Sequence, residues 1–252
     1  GRRIFNVAIR TIQLNQGKAI YGVGGGITWD STWESEYREV HQKAAVLYRK
    51  QARFQLITTG KISQKQLMFE EQHLERLRKA SRYFAFPFDP EIVRQKIESE
   101  CQTCDIDQDY RLRISLSKSG ELEVDRQVLE PLSPTFCHAQ LCLQESNLQQ
   151  AFTYFKTTYR PHLNLGEQEI IYHNKSGELL ETSIGNLVLK IDGKLYTPPI
   201  RLGILPGIYR QHLLETGQVE EKVLTLADLT QAEAIYGCNA VRGLYELSLE
   251  EN

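Results

Sequence analysis

Several signals that place a protein in a broad class are missing from this chain of 252 residues. It has no apolar run of about 18 residues, so no transmembrane helix is predicted, and its first residues do not resemble a secretory signal peptide. With 30 basic and 32 acidic residues it also lacks the basic excess of a nucleic-acid-binding protein. We therefore expect neither a membrane nor a nucleic acid as its partner.

Cysteine is scarce, and the common hydrolase motifs are absent. The five cysteines are odd in number and scattered, which favours reduced thiols and a cytoplasmic location. Only Cys101 and Cys104 have the spacing of a zinc or redox pair, and no second pair completes such a site. HExxH and GxSxG do not occur, so neither a zinc hydrolase nor a serine hydrolase is predicted, and no metal site is expected.

The sequence divides into three predicted parts. Residues 1–50 contain two strand-like runs (5–14 and 18–29), a glycine cluster and one helix, which is too little to bury a core alone. Residues 51–150 predict an α+β domain with an antiparallel sheet, and 151–252 predict a second domain of short strands and helices.

Within these parts, three details bear on the domain boundary and the topology. The strand at 136–143 is predicted as the third strand of the antiparallel sheet, and the polar stretch 144–150 as a linker. In the last part, Asp192-Gly193 predicts a hairpin turn, and helices are expected at 208–216 and 226–236.

Lys156 is the first residue with a chemical signal. It follows Phe152, Tyr154 and Phe155, a pattern that predicts the end of a buried strand. Desolvation lowers the pKa of a lysine amine, as a Schiff-base lysine requires. The same pattern is also typical of a lysine whose amine simply extends to water.

Two further features have a functional and a structural interpretation. Glu181 lies in an otherwise apolar run, so its carboxylate needs a cation or hydrogen-bond donors. A pyridinium nitrogen would satisfy it, and so would an arginine in a structural ion pair. The turn from Gly203 to Gly207 precedes a predicted helix, whose free N–H groups favour phosphate, although such turns are also common without a ligand.

From about Phe54 to Leu247 the chain resembles the class IV aminotransferase-like family of pyridoxal-phosphate (PLP) enzymes, which have fold type IV. The resemblance implies an α+β fold, with a small α+β domain, a larger pseudo-barrel domain and PLP in the cleft between them. It also implies a homodimer. It rests on five motifs in family order: HLERL at 73–77, the segment around Lys156, NKSGELLETSIGNLVLKIDGKLYTPP at 174–199, GILPGIYR at 203–210 and CNAVRGL at 238–244.

Carried over to this sequence, the resemblance implies a set of cofactor contacts. Lys156 would form the Schiff base, Glu181 would bind the pyridine nitrogen, and Arg76 would bind the phosphate. Tyr209 and Asn239 stand where many members of the family have threonine or serine. The remaining phosphate contacts would be backbone N–H groups, those of Ile208, Tyr209 and either Asn239 or Ala240.

Within the family, three local patterns resemble the aminodeoxychorismate lyases more than the transaminases: KTTYR from Lys156, CNA from Cys238, and Thr58-Thr59 on the first strand. This implies conversion of 4-amino-4-deoxychorismate to 4-aminobenzoate and pyruvate, a step of folate biosynthesis. Two alternatives stay open: a branched-chain or D-amino acid transaminase, and a non-catalytic module that has lost PLP. The candidates for contacts with the substrate are Thr58, Thr59, Arg160 and Arg242.

Residues 1–50 resemble the last part of a chorismate-binding enzyme, component I of aminodeoxychorismate synthase. The matching segments are FNVAIRTI, GVGGGITWDS and ESEYREVHQKA. In the parent enzyme, Arg10 and the loop at 24–26 would meet chorismate carboxylates, and Glu36 or Glu39 would face magnesium. We expect a remnant without synthase activity, and a separate synthase subunit is a candidate partner.

Overall fold

The computed structural model describes residues 11–48, 52–144, 151–164 and 166–249. It divides the chain into two compact units, 1–52 and 53–252. Most of the strand predicted over 5–14, the predicted chorismate contact Arg10 and nearly all of the predicted linker lie outside the described residues. Among the described residues, no helix combines the length and the apolar character needed to cross a membrane.

In the first unit, a β-hairpin precedes a helix. Its elements are β1 (Ile12–Asn15), β2 (Lys18–Tyr21) and α1 (Trp33–Tyr48). The strand predicted over 18–29 is wrong beyond Tyr21, where the glycine cluster begins, because glycine offers no side chain to pack in a strand. The predicted helix is confirmed, and Thr32 Oγ1 caps its first turn by accepting a hydrogen bond from Ser35 N at 3.3 Å.

The second unit begins with an antiparallel sheet that packs against two helices. Leu56, Leu74, Ile97 and Leu112, one from each of four elements, belong to the same buried cluster. The elements are β3 (Leu56–Ser63), β4 (Gln66–Leu67), α2 (Glu70–Phe84), α3 (Pro90–Gln102), β5 (Tyr110–Leu116) and β6 (Leu122–Val128). The strand order is β4-β3-β5-β6.

An eight-stranded sheet makes up most of the remainder. Its elements are α4 (Pro134–Cys137), β7 (His138–Leu143), α5 (Ala151–Tyr154), β8 (Ile170–His173), β9 (Leu179–Thr182), β10 (Asn186–Ile191), β11 (Lys194–Thr197), α6 (Ile208–Glu215), β12 (Glu220–Glu221), α7 (Leu226–Gln231), β13 (Ala234–Asn239) and β14 (Gly243–Leu249). The strand order is β12-β11-β10-β13-β14-β7-β8-β9. Because β9 also pairs with β10, at Glu181 and Asn186, the strands from β10 to β9 form a closed ring. This ring is the barrel-like part of the expected α+β fold.

Three predictions about secondary structure need correction. The segment 136–143 is not a third antiparallel strand, because β7 pairs in parallel with β8 and β14 in the larger sheet. Lys156 follows a short helix, α5, and not a strand. The predicted helix over 226–236 ends at Gln231, because the following residues pair with β10 as β13.

The boundaries predicted for the domains at 51–150 and 151–252 remain predictions. The parallel pairing of β7 leads us to propose that the boundary between the two sheets precedes His138. The predicted hairpin is confirmed: β10 and β11 pair antiparallel across Asp192 and Gly193, whose φ angles of 50° and 73° suit a primed turn.

Candidate active site

One cavity in the second unit brings together residues from both sheets. Its open space, including the part that connects to solvent, is about 360 Å³. Eight of the predicted site residues line it: Thr59, Arg76, Lys156, Arg160, Glu181, Ile208, Asn239 and Ala240. The other lining residues are Ile184, Gly185, Asn186, Leu205, Gly207 and Cys238.

Lys156 reaches the cavity from a segment that is fixed to the smaller sheet. Its carbonyl oxygen accepts a hydrogen bond from Ile57 N at 3.0 Å, and the next residue, Thr157, forms a β-bridge with Leu56. Burial lowers the pKa of the Lys156 amine well below its ordinary value, and the nearby cations Arg76, Arg160 and Arg113 lower it further. The lowered pKa favours the neutral amine, which is the form that acts as a nucleophile or a base.

Glu181 presents a free carboxylate oxygen to the same cavity. It lies on β9 and is buried, and its Oε2 accepts a hydrogen bond from Leu205 N at 3.2 Å, whereas Oε1 has no partner. Burial raises the pKa of Glu181 to about 7, against the opposing effects of Arg160, the Leu205 N–H and Lys156. An unpartnered buried oxygen needs a donor, and a protonated pyridine nitrogen is a donor of the right kind.

Arg76 places a guanidinium beside the start of α6. It lies on α2, and its Nη2 donates a hydrogen bond to Pro206 O at 2.8 Å. Burial lowers the pKa of Arg76 to about 10, and the positive charge of Arg160 adds to this effect. Within the part of the chain that the structure describes, no carboxylate forms a salt bridge with Arg76. The fork of this cation is therefore available to a phosphate.

The start of α6 adds backbone donors at this point. Ile208 lines the cavity, and Gly207, the N-cap residue, supplies no side chain to cap the free N–H groups. A Cβ at Gly207 would lie 1.9 Å from Asn186 Oδ1, so the approach of this turn to β10 requires glycine. The side chain of Tyr209 instead packs against Phe69 and does not line the cavity.

The turn between β13 and β14 forms another part of the cavity wall. Asn239 Oδ1 accepts hydrogen bonds from Val241 N and Arg242 N, both at 2.9 Å. The Asn239 side chain is thus used to shape the turn, which brings Ala240 to the cavity. The Asn239 side chain is therefore not free to bind a ligand through Oδ1.

Two predicted substrate residues do not line the cavity. Thr58 is buried and forms a 2.6 Å hydrogen bond with His73 Nδ1, on the side of β3 that packs against α2. Arg242 Nη1 donates to Glu130 O instead. Strand alternation explains the difference between the neighbours Thr58 and Thr59, because successive side chains point to opposite faces of the sheet.

Sequence reasoning missed two contributors to the site. Asn186 lines the cavity and donates to Leu205 O at 2.8 Å, which holds the loop that provides the Leu205 N–H to Glu181. Arg113, opposite Thr59 in the β3–β5 pair, adds positive charge near Lys156. The alternation of arginine with apolar residues in RLRIS was the available signal for Arg113.

The lining therefore holds more positive than negative groups. Arg76 and Arg160 carry guanidinium groups and Glu181 is the acidic residue, whereas burial favours the neutral form of Lys156. A ligand with a phosphate for the arginines and a ring N–H for Glu181 matches these groups. The arginines also suit a second ligand that carries carboxylates.

Comparison with known proteins now identifies the family. Residues 55–248 match the family model described as Amino-transferase class IV. The chain belongs to this family. The family fold accounts for both the small antiparallel sheet and the closed ring of strands beside it.

Three relatives illustrate the range of this family. The aminodeoxychorismate lyase of Saccharomyces cerevisiae is 27% identical over 186 residues, with 53% of this chain and 50% of the yeast protein covered, so the chain spans about half the length of this curated relative. A solved structure from Mesorhizobium loti, provisionally named an amino-acid aminotransferase, has a TM-score of 0.68 and 27% identity, covering 78% of this chain and 100% of that one. The PLP-bound form of a hypothetical aminotransferase from Mycobacterium tuberculosis has a TM-score of 0.64 and 18% identity, covering 82% and 83%.

The first unit has a separate relationship. Residues 1–49 match the model described as chorismate binding enzyme, as the resemblance implied. Of the acidic residues predicted to face magnesium in the parent enzyme, Glu36 accepts a hydrogen bond from Ser31 Oγ at 2.7 Å, and Glu39 forms a salt bridge with Lys43.

Proposed function

We propose that this chain is a PLP-dependent lyase that converts 4-amino-4-deoxychorismate to 4-aminobenzoate and pyruvate. The observation that carries the proposal is the cavity, in which Lys156, with its lowered amine pKa, and Glu181, with its unpartnered carboxylate oxygen, occur together. Arg76 and the start of α6 supply phosphate donors at the same cavity.

The residues present fit PLP. Glu181 Oε1 would accept the hydrogen bond of the ring nitrogen, and Arg76 with the N–H groups of Ile208 and Tyr209 would bind the phosphate. Bound PLP supplies an aldehyde that joins to amines and a ring that withdraws electrons from the carbon beside the bound nitrogen. The other contributions to the reaction come from the chain.

Lys156 would carry out two tasks in this reaction. The Lys156 nitrogen would hold the cofactor by a covalent bond when no substrate is present, and as a free, neutral amine it would take the proton from C4 of the substrate. The enolpyruvyl oxygen would then leave C3 of the substrate. Protonation of the released enol gives pyruvate, and the carbon ring of the substrate becomes the aromatic ring of 4-aminobenzoate. Glu181 keeps the proton on the ring nitrogen through both tasks, because its ionised form is the acceptor.

The lyase is favoured over a transaminase by two considerations. The yeast relative is named an aminodeoxychorismate lyase, and Thr59, a neutral residue, stands at the cavity where the transaminases usually carry a glutamate-threonine pair on this strand. The substrate would carry two carboxylates, which suits the excess of cations. Arg160, which lines the cavity with its Nε unpartnered, is our candidate for binding one of them.

The test compares two reactions of the same purified chain with PLP. Release of pyruvate and 4-aminobenzoate from aminodeoxychorismate supports the lyase. Transfer of an amino group from an amino acid to 2-oxoglutarate, without pyruvate release from aminodeoxychorismate, would replace it by a transaminase. A homodimer, a synthase subunit as partner and a cytoplasmic location belong to the same proposal and are tested by light scattering, co-purification and cell fractionation.

A further inference from the structure

Behind the cavity wall, outside the set of lining residues, lies a buried carboxylate that the proposed chemistry does not use. Glu169 immediately precedes β8 and its side chain is completely buried, with 0% exposure. Its backbone is fixed by hydrogen bonds from Glu169 N to Phe136 O (2.9 Å) and from Gln140 N to Glu169 O (3.0 Å). A buried charge with no function in folding or binding would be costly, so its partners are informative.

Three hydrogen-bond donors converge on this carboxylate. Oε1 accepts from Ser183 Oγ and from Ile184 N, the latter at 3.2 Å, and Oε2 accepts from Tyr245 Oη at 2.8 Å. Within the described residues no cation forms a salt bridge with Glu169. Its charge is therefore balanced by neutral donors in fixed directions, which makes this group a strong geometric constraint.

Two of these donors belong to the connection between β9 and β10. Ser183 and Ile184 follow the strand that carries Glu181, and Ile184 and Gly185 themselves line the cavity. Both backbone polar groups of Ile184 are hydrogen-bonded. Its N–H donates to Glu169, and its carbonyl oxygen accepts from Asn239 Nδ2 at 3.4 Å. Ile184 is thus held between Glu169 and the turn that carries Asn239 and Ala240.

The third donor, Tyr245, packs against two glycines, Gly185 and Gly237. A Cβ at Gly237 would lie 2.4 Å from Cζ of Tyr245, and a Cβ at Gly185 would lie 3.0 Å from Tyr245 Oη. The absence of side chains at these positions lets the Tyr245 ring reach Glu169 from β14. Burial and the neighbouring Glu169 raise the pKa of Tyr245 well above its ordinary value, so the phenol stays protonated and remains a donor.

We propose that Glu169, acting through Ser183, Ile184 and Tyr245, is a positioning residue that fixes the cavity wall next to Glu181. This inference rests on the proposed PLP site and extends it to residues that do not touch the ligand. The hydrogen bonds fix the backbone at Ser183 and Ile184, which directly follow the strand of Glu181. They would thereby fix the position from which Glu181 Oε1 contacts the cofactor. The role requires acceptors at position 169 and does not require reaction with the substrate.

The proposal distinguishes two substitutions of similar size. Glu169→Gln keeps an oxygen acceptor for Ser183 and Ile184, and its amide donates to Tyr245 Oη once that hydroxyl turns its proton away. Glu169→Leu removes both acceptor oxygens and with them all three hydrogen bonds. Thr197→Val is the matched control, because it removes a buried hydroxyl that donates to Leu187 O at 2.7 Å in the same sheet but does not line the cavity.

The experiment measures the Kd of each folded apo variant for PLP by absorbance titration, together with its Tm. We expect the Kd to rise about tenfold for Glu169→Leu, and to stay within about threefold of wild type for Glu169→Gln and Thr197→Val. A purely structural role would lower the Tm without raising the Kd of the folded protein. Equal Kd values for Glu169→Leu and wild type, or equal impairment of the leucine and glutamine variants, would overturn the proposal.

Two further results keep the test decisive. If Glu169→Leu does not fold, Ser183→Ala takes its place, since it removes one donor without adding volume; an unchanged Kd in that variant also rejects the role of Glu169. Failure of the wild-type chain to bind PLP at all would reject the proposed function itself, which separates that outcome from failure of the positioning role.

Discussion

Glu181 and Lys156 line the same cavity, Glu181 from β9 of the larger sheet and Lys156 from the segment that is bonded to β3 of the smaller sheet. Burial favours the neutral form of each group, because it lowers the pKa of Lys156 and raises the pKa of Glu181. A lysine that must be a free base and a carboxylate that must meet a ring N–H are thus held in one poorly solvated space. The predictions below follow from this pairing and from the phosphate donors next to it.

Replacing Lys156 by alanine removes the amine that holds the cofactor and accepts the substrate proton. We expect turnover to fall at least about 1,000-fold, because nucleophile and base are lost together. Borohydride treatment should fix PLP to the wild-type chain and not to the variant, as mass spectrometry of the intact protein would detect. Lys190→Ala is the control, since that lysine is paired with Glu233 outside the cavity. Normal activity in Lys156→Ala would refute the assignment.

Arg76→Gln should weaken the recognition of phosphate in particular. We expect the preference of the protein for PLP over pyridoxal, which lacks the phosphate, to fall by about 10- to 100-fold in Kd ratio, because one charge-assisted contact is lost. Arg78→Gln, on the same helix but exposed and paired with Glu75, should leave the ratio unchanged. An unchanged ratio in Arg76→Gln would place the phosphate elsewhere.

Glu181 predicts a pH dependence of the stability of the apo protein. Its pKa is 4.5 when unfolded and about 7 when folded, so the folded state binds more protons between these values. Stability therefore falls as pH rises through this window, and above it the ionised buried carboxylate costs about 3 kcal/mol. Glu181→Gln should lose this dependence. Urea unfolding at pH 4.5 and pH 8 measures it; the same pH profile in both proteins would contradict the prediction.

Gly207→Ala should disrupt the start of α6 through steric conflict alone. The φ angle of Gly207 is −67°, which alanine adopts freely, but the added Cβ would lie 1.9 Å from Asn186 Oδ1. We expect a loss of stability of about 1–3 kcal/mol and weaker binding of PLP. Adding Asn186→Ala should recover part of the lost stability, as chemical denaturation would measure. Strictly additive destabilisation in the double variant would show that this contact is not the cause.

Local patterns predicted the helix at α6 and the hairpin of β10 and β11, because periodicity and turn chemistry act over a few residues. They failed for β7 and for the second half of the helix predicted over 226–236, where pairing with distant strands decides the conformation. Thr59 and Thr58 look equivalent in sequence, and only the register of β3 separates the cavity residue from the one bound to His73. The lysine and the two other charged residues carried over from the family motifs, Glu181 and Arg76, do line the cavity. Glu169 has no local signal of its role, since its importance lies in contacts across strands.

The central claim is tested most directly by incubating the purified chain with PLP and 4-amino-4-deoxychorismate and measuring pyruvate and 4-aminobenzoate together. The account predicts that both products form in equal amounts, without added amino acid or 2-oxoglutarate, and that Lys156→Ala forms neither. A wild-type chain that binds PLP and releases no pyruvate from this substrate would contradict it.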